Sequence, residues 1–390
     1  MLALHGRVTL RTPPHAPSGW TGRSSSAWVL AQPSTPPSRG RCAHRTRATS
    51  VTATDAASET STPPPLRYGV SLTQGPREEM EDVAQVIPDA CCGFLVASVF
   101  DGHGGRLAAD YLEKNLYNVF NDILKEDTIS LTCSVKERDS SGLCCPLELT
   151  PLLRSSFKKT DEQLLQYLHD LGDEDALTCG CTATTVLVHP DRLIVANVGD
   201  SRAVLSRGGE ALVLSTEHRI PEDGSENEET ARIRAAGGWV EDERVCGMLA
   251  VTRAFGDPEF KGEGLQKLLR RGVEEGFWTQ EEADQRHFSA DPVTALPDVT
   301  ALVRTPDDEF LVVASDGLWD VLSSAEVLKA ARQGLRKGLS LQAVADTLAD
   351  RALRRHTYDN VAVVVVDMGG GRQGWKPQAK GLLRGLFSSS

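Results

Sequence analysis

An α+β fold built on antiparallel strands is predicted by three observations. Short apolar runs read as strands buried on both faces, polar turns separate neighbouring runs as in hairpins, and longer segments carry apolar residues three to four apart. The runs at 94–100, 309–314 and 361–367 are nearly continuous in Val, Leu, Ala and Phe, as double-sided burial demands. The 390-residue chain is 40% hydrophobic, enough for a sizeable core, and no apolar run approaches the ~18 to 20 residues that span a bilayer.

Residues 1–54 hold seven arginines (7, 11, 23, 39, 41, 45 and 47), no lysine and no acid among many Ser, Thr, Pro and Ala. That is the composition of a transit peptide, with a disordered basic tail as the alternative. Abundant Ser and Pro lean toward the chloroplast, and the mitochondrion is the other reading. Residues 55–66, with Thr62-Pro-Pro-Pro65, form a disordered linker. Beyond residue 54, 35 basic side chains face 54 acidic ones, a net charge of −19. Nucleic acid is therefore not an expected partner, because no basic face is evident to neutralise phosphates. Nine cysteines without a CxxC read as free thiols of a reducing compartment, not as a zinc site.

The folded part, 67–368, opens with a strand at 67–72. A turn loaded with charge, Arg77-Glu-Glu-Met-Glu-Asp82, leads into a strand at 83–87. After the strand ending at Phe100 come Asp101-Gly-His-Gly-Gly105, where glycines allow a sharp turn and close approach to a ligand. A helix follows over 107–124, its stripe including Tyr111, Leu112, Leu116, Phe120 and Leu124. Residues 126–148 read as a surface loop and 150–171 as a second amphipathic helix. The runs 181–188 and 192–198 flank His189-Pro-Asp191, and 203–206 and 211–214 flank Arg207-Gly-Gly-Glu210. Their regular spacing predicts one antiparallel meander. Residues 217–247 read as a mobile flap with a short helix at 228–236, and 258–291 as a charged insertion, helical around 265–275. Helices at 323–337 and 340–355, capped by Ser323 and Ser340, precede the strand 361–367. Residues 369–390 form a flexible tail.

Acidic residues recur where apolar runs begin or end: Glu81 and Asp82, Asp101 with Gly102, Asp200, Asp316, and Asp359 beside Asn360. Gathered in one cleft, so many carboxylates need a cation. Oxygen-only ligands favour Mg²⁺ or Mn²⁺ over zinc. Two such ions ~3.5 to 4 Å apart lower the pKa of a shared water. Arg77 supplies a fork for phosphate oxygens, and His103 a proton for the leaving alkoxide. Together these parts make a phosphomonoester hydrolase. Asp257 and Asp320 read as structural.

In that order, Arg77–Asp82, Val99-Phe-Asp-Gly-His-Gly-Gly105, Val198-Gly-Asp-Ser-Arg-Ala203, Leu249-Ala-Val-Thr-Arg-Ala-Phe-Gly-Asp257, Ala314-Ser-Asp-Gly-Leu-Trp-Asp320 and Asp359-Asn360 resemble the metal-dependent serine/threonine protein phosphatases of type 2C. The resemblance implies an antiparallel β-sandwich flanked by helix pairs, with a dinuclear metal cleft at one end. It implies that Glu81, Asp82, Asp101, the Gly102 carbonyl, Asp316 and Asp359 serve two Mg²⁺ or Mn²⁺ ions, directly or through water. Asp200 with Asp316 would hold a weaker third. Arg77 would bind phosphate and His103 act as general acid, in a monomer acting on phosphorylated proteins. Inactive relatives are expected to lose a metal carboxylate, and none is missing here. A catalytically silent phosphoprotein-binding module is the alternative.

Thr73–Asp82, Ala236-Gly-Gly-Trp239 and Arg271-Gly-Val-Glu-Glu-Gly-Phe-Trp278 are further similar to a thylakoid-associated plant branch of the family. That branch implies chloroplast light-harvesting antenna proteins as substrates, hence a part in state transitions. Members carry a hydrophobic C-terminal membrane segment, whereas 381–387 here offers only a weak interfacial anchor. Stroma and the stromal face of the thylakoid are both open, as is another stromal or mitochondrial substrate.

Overall fold

The computed structural model describes residues 66–130 and 146–370. The proposed transit segment, most of the linker and the C-terminal tail from 371 lie outside these residues. Ten strands build two sheets: β1 (Tyr68–Thr73), β2 (Val83–Ile87), β3 (Leu95–Phe100), β4 (Ala183–Val188), β5 (Arg192–Val198), β6 (Arg202–Arg207), β7 (Glu210–Val213), β8 (Asp298–Val303), β9 (Asp308–Ala314) and β10 (Val361–Asp367). One sheet runs β1-β10-β9-β6-β7 and the other β8-β5-β4-β3-β2. Every pairing within them is antiparallel.

Side-chain alternation explains why the runs are apolar throughout. Leu95, Ala97 and Val99 of β3 meet Ala362, Val364 and Val366 of β10 between the sheets. Val96 and Phe100 point the other way, against Leu112 and Leu116 of α1 (Leu107–Ser130) and Phe157 and Leu164 of α2 (Pro146–Leu171). The α1 apolar stripe ends at Leu124, so its last turns, read from sequence as loop, carry no periodic signal.

The flap contributes α3 (Glu228–Ala235), and the insertion α4 (Gly264–Glu274) and α5 (Gln280–Gln285). A single turn, α6 (Asp316–Trp319), follows β9, and then come α7 (Ser324–Arg336) and α8 (Leu341–Arg354). Val361, Val363 and Val365 of β10 pack on Val327 and Leu328 of α7 and Val344 and Leu348 of α8. Ser323 caps α7 by accepting from the Glu326 amide, with Glu326 reaching back, and Ser340 caps α8 through the Ala343 amide. The result is four layers, helices, sheet, sheet, helices.

Two differences from the sequence reading matter. The expected meander is two hairpins in different sheets: β4–β5 in one and β6–β7 in the other, with the chain crossing at 199–201. Spacing announces hairpins but not the sheet each joins. The edge strand β8 escaped notice because it pairs with β5 alone and is half exposed, so no apolar run marks it. The flap and insertion share a small apolar core, including Ile233, Val245, Val251, Phe260, Leu268 and Val293.

Candidate metal centre

Antiparallel pairing brings the carboxylates together. Val83 pairs with Phe100, Ala183 with Val198, and Ala314 with both Arg202 and Val363. The C-terminal end of β3 therefore lies beside the N-terminal end of β2, that of β5 beside β4, and that of β9 between β6 and β10. Asp101, Asp200 and Asp316 converge there, each with a carboxylate oxygen within 4.8 Å of the others. Asp82 sits behind them, 1% exposed, with Oδ2 accepting from Ser315 Oγ at 2.7 Å. Gly102 pairs with Cys181, and a Cβ on it would lie 2.7 Å from the Glu81 carbonyl oxygen, so only glycine fits this close approach.

The other expected residues surround this cluster. Glu81 turns its carboxylate toward the turn before α1, where Oε1 accepts from the Gly105 amide at 2.5 Å. Asp359 accepts from Arg77 Nη2 at 2.6 Å, while Arg77 Nε donates to the Tyr358 carbonyl at 3.1 Å. Half of the Arg77 side chain remains exposed. His103 Nε2 lies 2.8 Å from Asp257 Oδ1.

Burial and mutual repulsion make the cluster hungry for cations. Burial, then the charges of Asp82, Asp316, Asp200 and Asp359, hold the Asp101 carboxyl well above the usual range. Burial also lifts Asp82 to about 7, with Asp359 adding to it and hydrogen bonds from Ser315 and Asp101 partly offsetting it. Asp316 is raised by burial and by Asp200, against the pull of Arg219. Burial alone would lower His103, but the neighbouring Asp257 carboxylate outweighs it and the imidazole is raised.

Three residues here were missed or misread in sequence. Arg219, within the flap, donates Nε to Asp200 at 2.5 Å and Nη1 to Asp320 at 3.0 Å, and its Nη2 bonds Asp316. Nothing local announces it. Asp257, taken as structural, is the partner of His103; it is 3% exposed, adopts a left-handed backbone (φ 50), and its Oδ2 has no partner. Its place after Ala-Phe-Gly, at a run's end like the other acids, was the available signal. Asn360 is buried and clamps the charged turn: Nδ2 donates to the Gln74 and Glu79 carbonyls at 2.7 and 2.9 Å, and Oδ1 accepts from the Glu81 amide at 2.7 Å. Cys179 and Cys181, close by, are free thiols, and burial pushes Cys179 up to about 11, away from nucleophilic use.

Buried oxygen donors with Arg219 as the cation bridging Asp200 and Asp316 fit hard divalent ions. An antiparallel sandwich with such a site at one end fits a metal-dependent hydrolase. The family model described as protein phosphatase 2C matches residues 66–361. The chain belongs to that family, whose members hydrolyse phosphoserine and phosphothreonine in proteins and depend on Mg²⁺ or Mn²⁺. Protein phosphatase 2C 57 of Arabidopsis thaliana is 36% identical over 342 residues, covering 87% of this chain and 83% of the relative. Probable protein phosphatase 2C 27 of Oryza sativa is 33% identical over 313 residues, 78% of this chain and 75% of the relative. In fold, the crystal structure of serine-threonine phosphatase 2C from Toxoplasma gondii aligns with a TM-score of 0.60 at 21% identity, covering 79% of this chain and 96% of that one.

Proposed function

We propose that this phosphatase works with two divalent ions that Glu81, Asp82, Asp101, the Gly102 carbonyl, Asp316 and Asp359 would serve, directly or through water. Asp200 and Asp316, which Arg219 bridges, would hold a weaker third. The carrying observation is the meeting of Asp101, Asp200 and Asp316 within 4.8 Å at the end of the sandwich. When bound, such ions polarise phosphoryl oxygens and make water acidic enough to attack at neutral pH. Arg77, tethered at the rim, grips the phosphoryl group with its exposed fork. His103, whose imidazole the Asp257 carboxylate raises, gives its proton to the leaving alkoxide. Asp257 and Asn360 are positioning residues: one orients the imidazole, the other holds the turn that carries Arg77, Glu81 and Asp82.

For the substrate, the reading supported by the motifs 73–82, 236–239 and 271–278 is phosphothreonine on chloroplast light-harvesting antenna proteins, reversing state transitions. An arginine-rich, acid-free 1–54 supports chloroplast delivery, and the chain acts as a monomer in the stroma or at the thylakoid face. Among the described residues no helix is long and apolar enough to cross a membrane. The chemistry is tested by Mn²⁺-dependent hydrolysis of p-nitrophenyl phosphate, expected to vanish with EDTA. The substrate is tested by antenna phosphothreonine in isolated chloroplasts with and without the protein; unchanged levels remove the antenna reading and leave the family assignment standing.

A further inference from the structure

A groove leads from His103 away from the carboxylate cluster and into the insertion. Its first part, about 130 Å³, is lined by His103, Asp257, Leu177, Met248, Phe260 and Arg271. The second part, about 480 Å³, runs between α2 and the start of the insertion. Leu177 and Glu259 line both, so the two are adjacent. At the inner end, Asp257 contributes the buried Oδ2 that has no partner. The groove therefore borders the reactive centre at His103 and Asp257, with Met248 and Leu249 and the insertion forming its far wall.

Its walls change character with distance. Near His103 the lining is largely apolar, through Leu177, Met248 and Phe260. Arg271 adds no free cation, because Glu259 takes its Nη1 at 2.8 Å and Glu275 its Nε at 2.8 Å. Further out, Lys261 is consumed in a buried pair with Asp161 at 2.7 Å. Glu162, Glu263 and Asp291 then face Lys267 and His169, of which His169 lies 3.8 Å from Asp170. Glu162 has only an exposed 3.9 Å contact with Lys158, too weak to cancel it. Asp291 accepts from the Gly262 amide at 2.8 Å, a neutral donor rather than a cation. The outer groove thus carries surplus negative charge, in a chain whose formal net charge is −12.

We propose that this groove seats the substrate segment flanking the phosphorylated residue, taking an apolar side chain beside it and basic side chains beyond. The proposal rests on the phosphoprotein phosphatase reading and adds sequence selectivity to it. A basic flank complements the outer carboxylates, and the net charge steers such a segment in at low ionic strength.

The test uses the full chain with Mn²⁺ and pairs of phosphothreonine peptides that differ only in carrying two lysines or two glutamates. The charges sit roughly two to four residues from the phosphothreonine, a reach set by ~3.3 Å per extended residue. One pair places them N-terminally and the other C-terminally. On one side the lysine peptide is expected to lead by about five- to tenfold in kcat/KM at low salt, the effect of two or three exposed ion pairs. In the Glu162→Lys/Glu263→Lys double variant that ratio falls to about one or inverts. Because both peptides are measured on the same preparation, a loss of folded enzyme cancels. A wild-type ratio near one on both sides, or a preference that survives in the double variant, overturns the groove assignment while leaving the phosphatase in place. Hydrolysis of p-nitrophenyl phosphate without any phosphopeptide turnover overturns the phosphoprotein reading and the groove with it.

Discussion

Asp101 has the least relief of any cluster member, since burial and four neighbouring carboxylates all oppose its charge. Asp101→Asn is expected to lower kcat/KM at saturating Mn²⁺ by about 10³-fold or more, the loss of several kcal/mol of metal-derived stabilisation. Steady-state assays across a Mn²⁺ titration check this. His103 invites a different comparison, because p-nitrophenolate leaves without a proton whereas the threonine alkoxide needs one. His103→Ala should cost ~10²- to 10⁴-fold on a phosphothreonine peptide and clearly less on p-nitrophenyl phosphate. Equal losses on both substrates would remove the general-acid role. Gly180 shows how tightly this pair is set: a Cβ there would lie 2.3 Å from both Asp257 Oδ2 and His103 Nε2.

Among the elements, α3 is pinned by one buried carboxylate. Glu229 accepts from Arg253, Arg232 and the Thr252 hydroxyl at 2.7, 2.8 and 2.8 Å. Burial alone would raise it, but hydrogen bonds and charge from Arg253 and Arg232 prevail and hold it at about 2, below its usual 4.5. A depressed carboxyl contributes stability that is present above pH 4.5 and lost as pH falls from 4.5 toward 2. The flap is therefore expected to loosen across that acid window, seen as a change in Trp fluorescence. Trp239 and Trp278 report on it, because they meet edge to face at 5.2 Å and Arg286 stacks 3.5 Å from the Trp239 centroid. Glu229→Gln should cost about 3 kcal/mol at neutral pH by removing the buried charge that Arg232 and Arg253 share, although Arg253 keeps Asp298 at 2.9 Å, and should flatten the acid transition.

At the scale of the molecule, a cation binding the folded state alone links metal to stability. Mn²⁺ at about 100 times its Kd should add ~2.7 kcal/mol and raise Tm by about 5 °C. Calorimetry with Mn²⁺ and with EDTA measures this, and Asp101→Asn should erase most of the difference. The catalytic machinery hangs on the sandwich because both sheets present strand ends at one edge. Its β1–β10 pairing joins residues near the two ends of the described chain, with Tyr68 opposite Val366 and Arg67 bonded to Asp367 at 2.6 Å.

Sequence alone determined the parts governed by near neighbours: the buried strands at Leu95–Phe100 and Val361–Asp367, the helices capped by Ser323 and Ser340, and the Asp-Gly junctions at Asp101 and Asp316. Periodicity, caps and turns act over a few residues, so they can be read along the chain. Only the tertiary structure decided that Arg219 bridges Asp200 and Asp316, that Asp257 faces His103, that Asn360 clamps the turn at 74–81, and that the chain changes sheets at 199–201. Most of those contacts join residues up to nearly 290 positions apart. They exist because two antiparallel sheets packed face to face bring distant strand ends together, a geometry that no local pattern of side chains encodes.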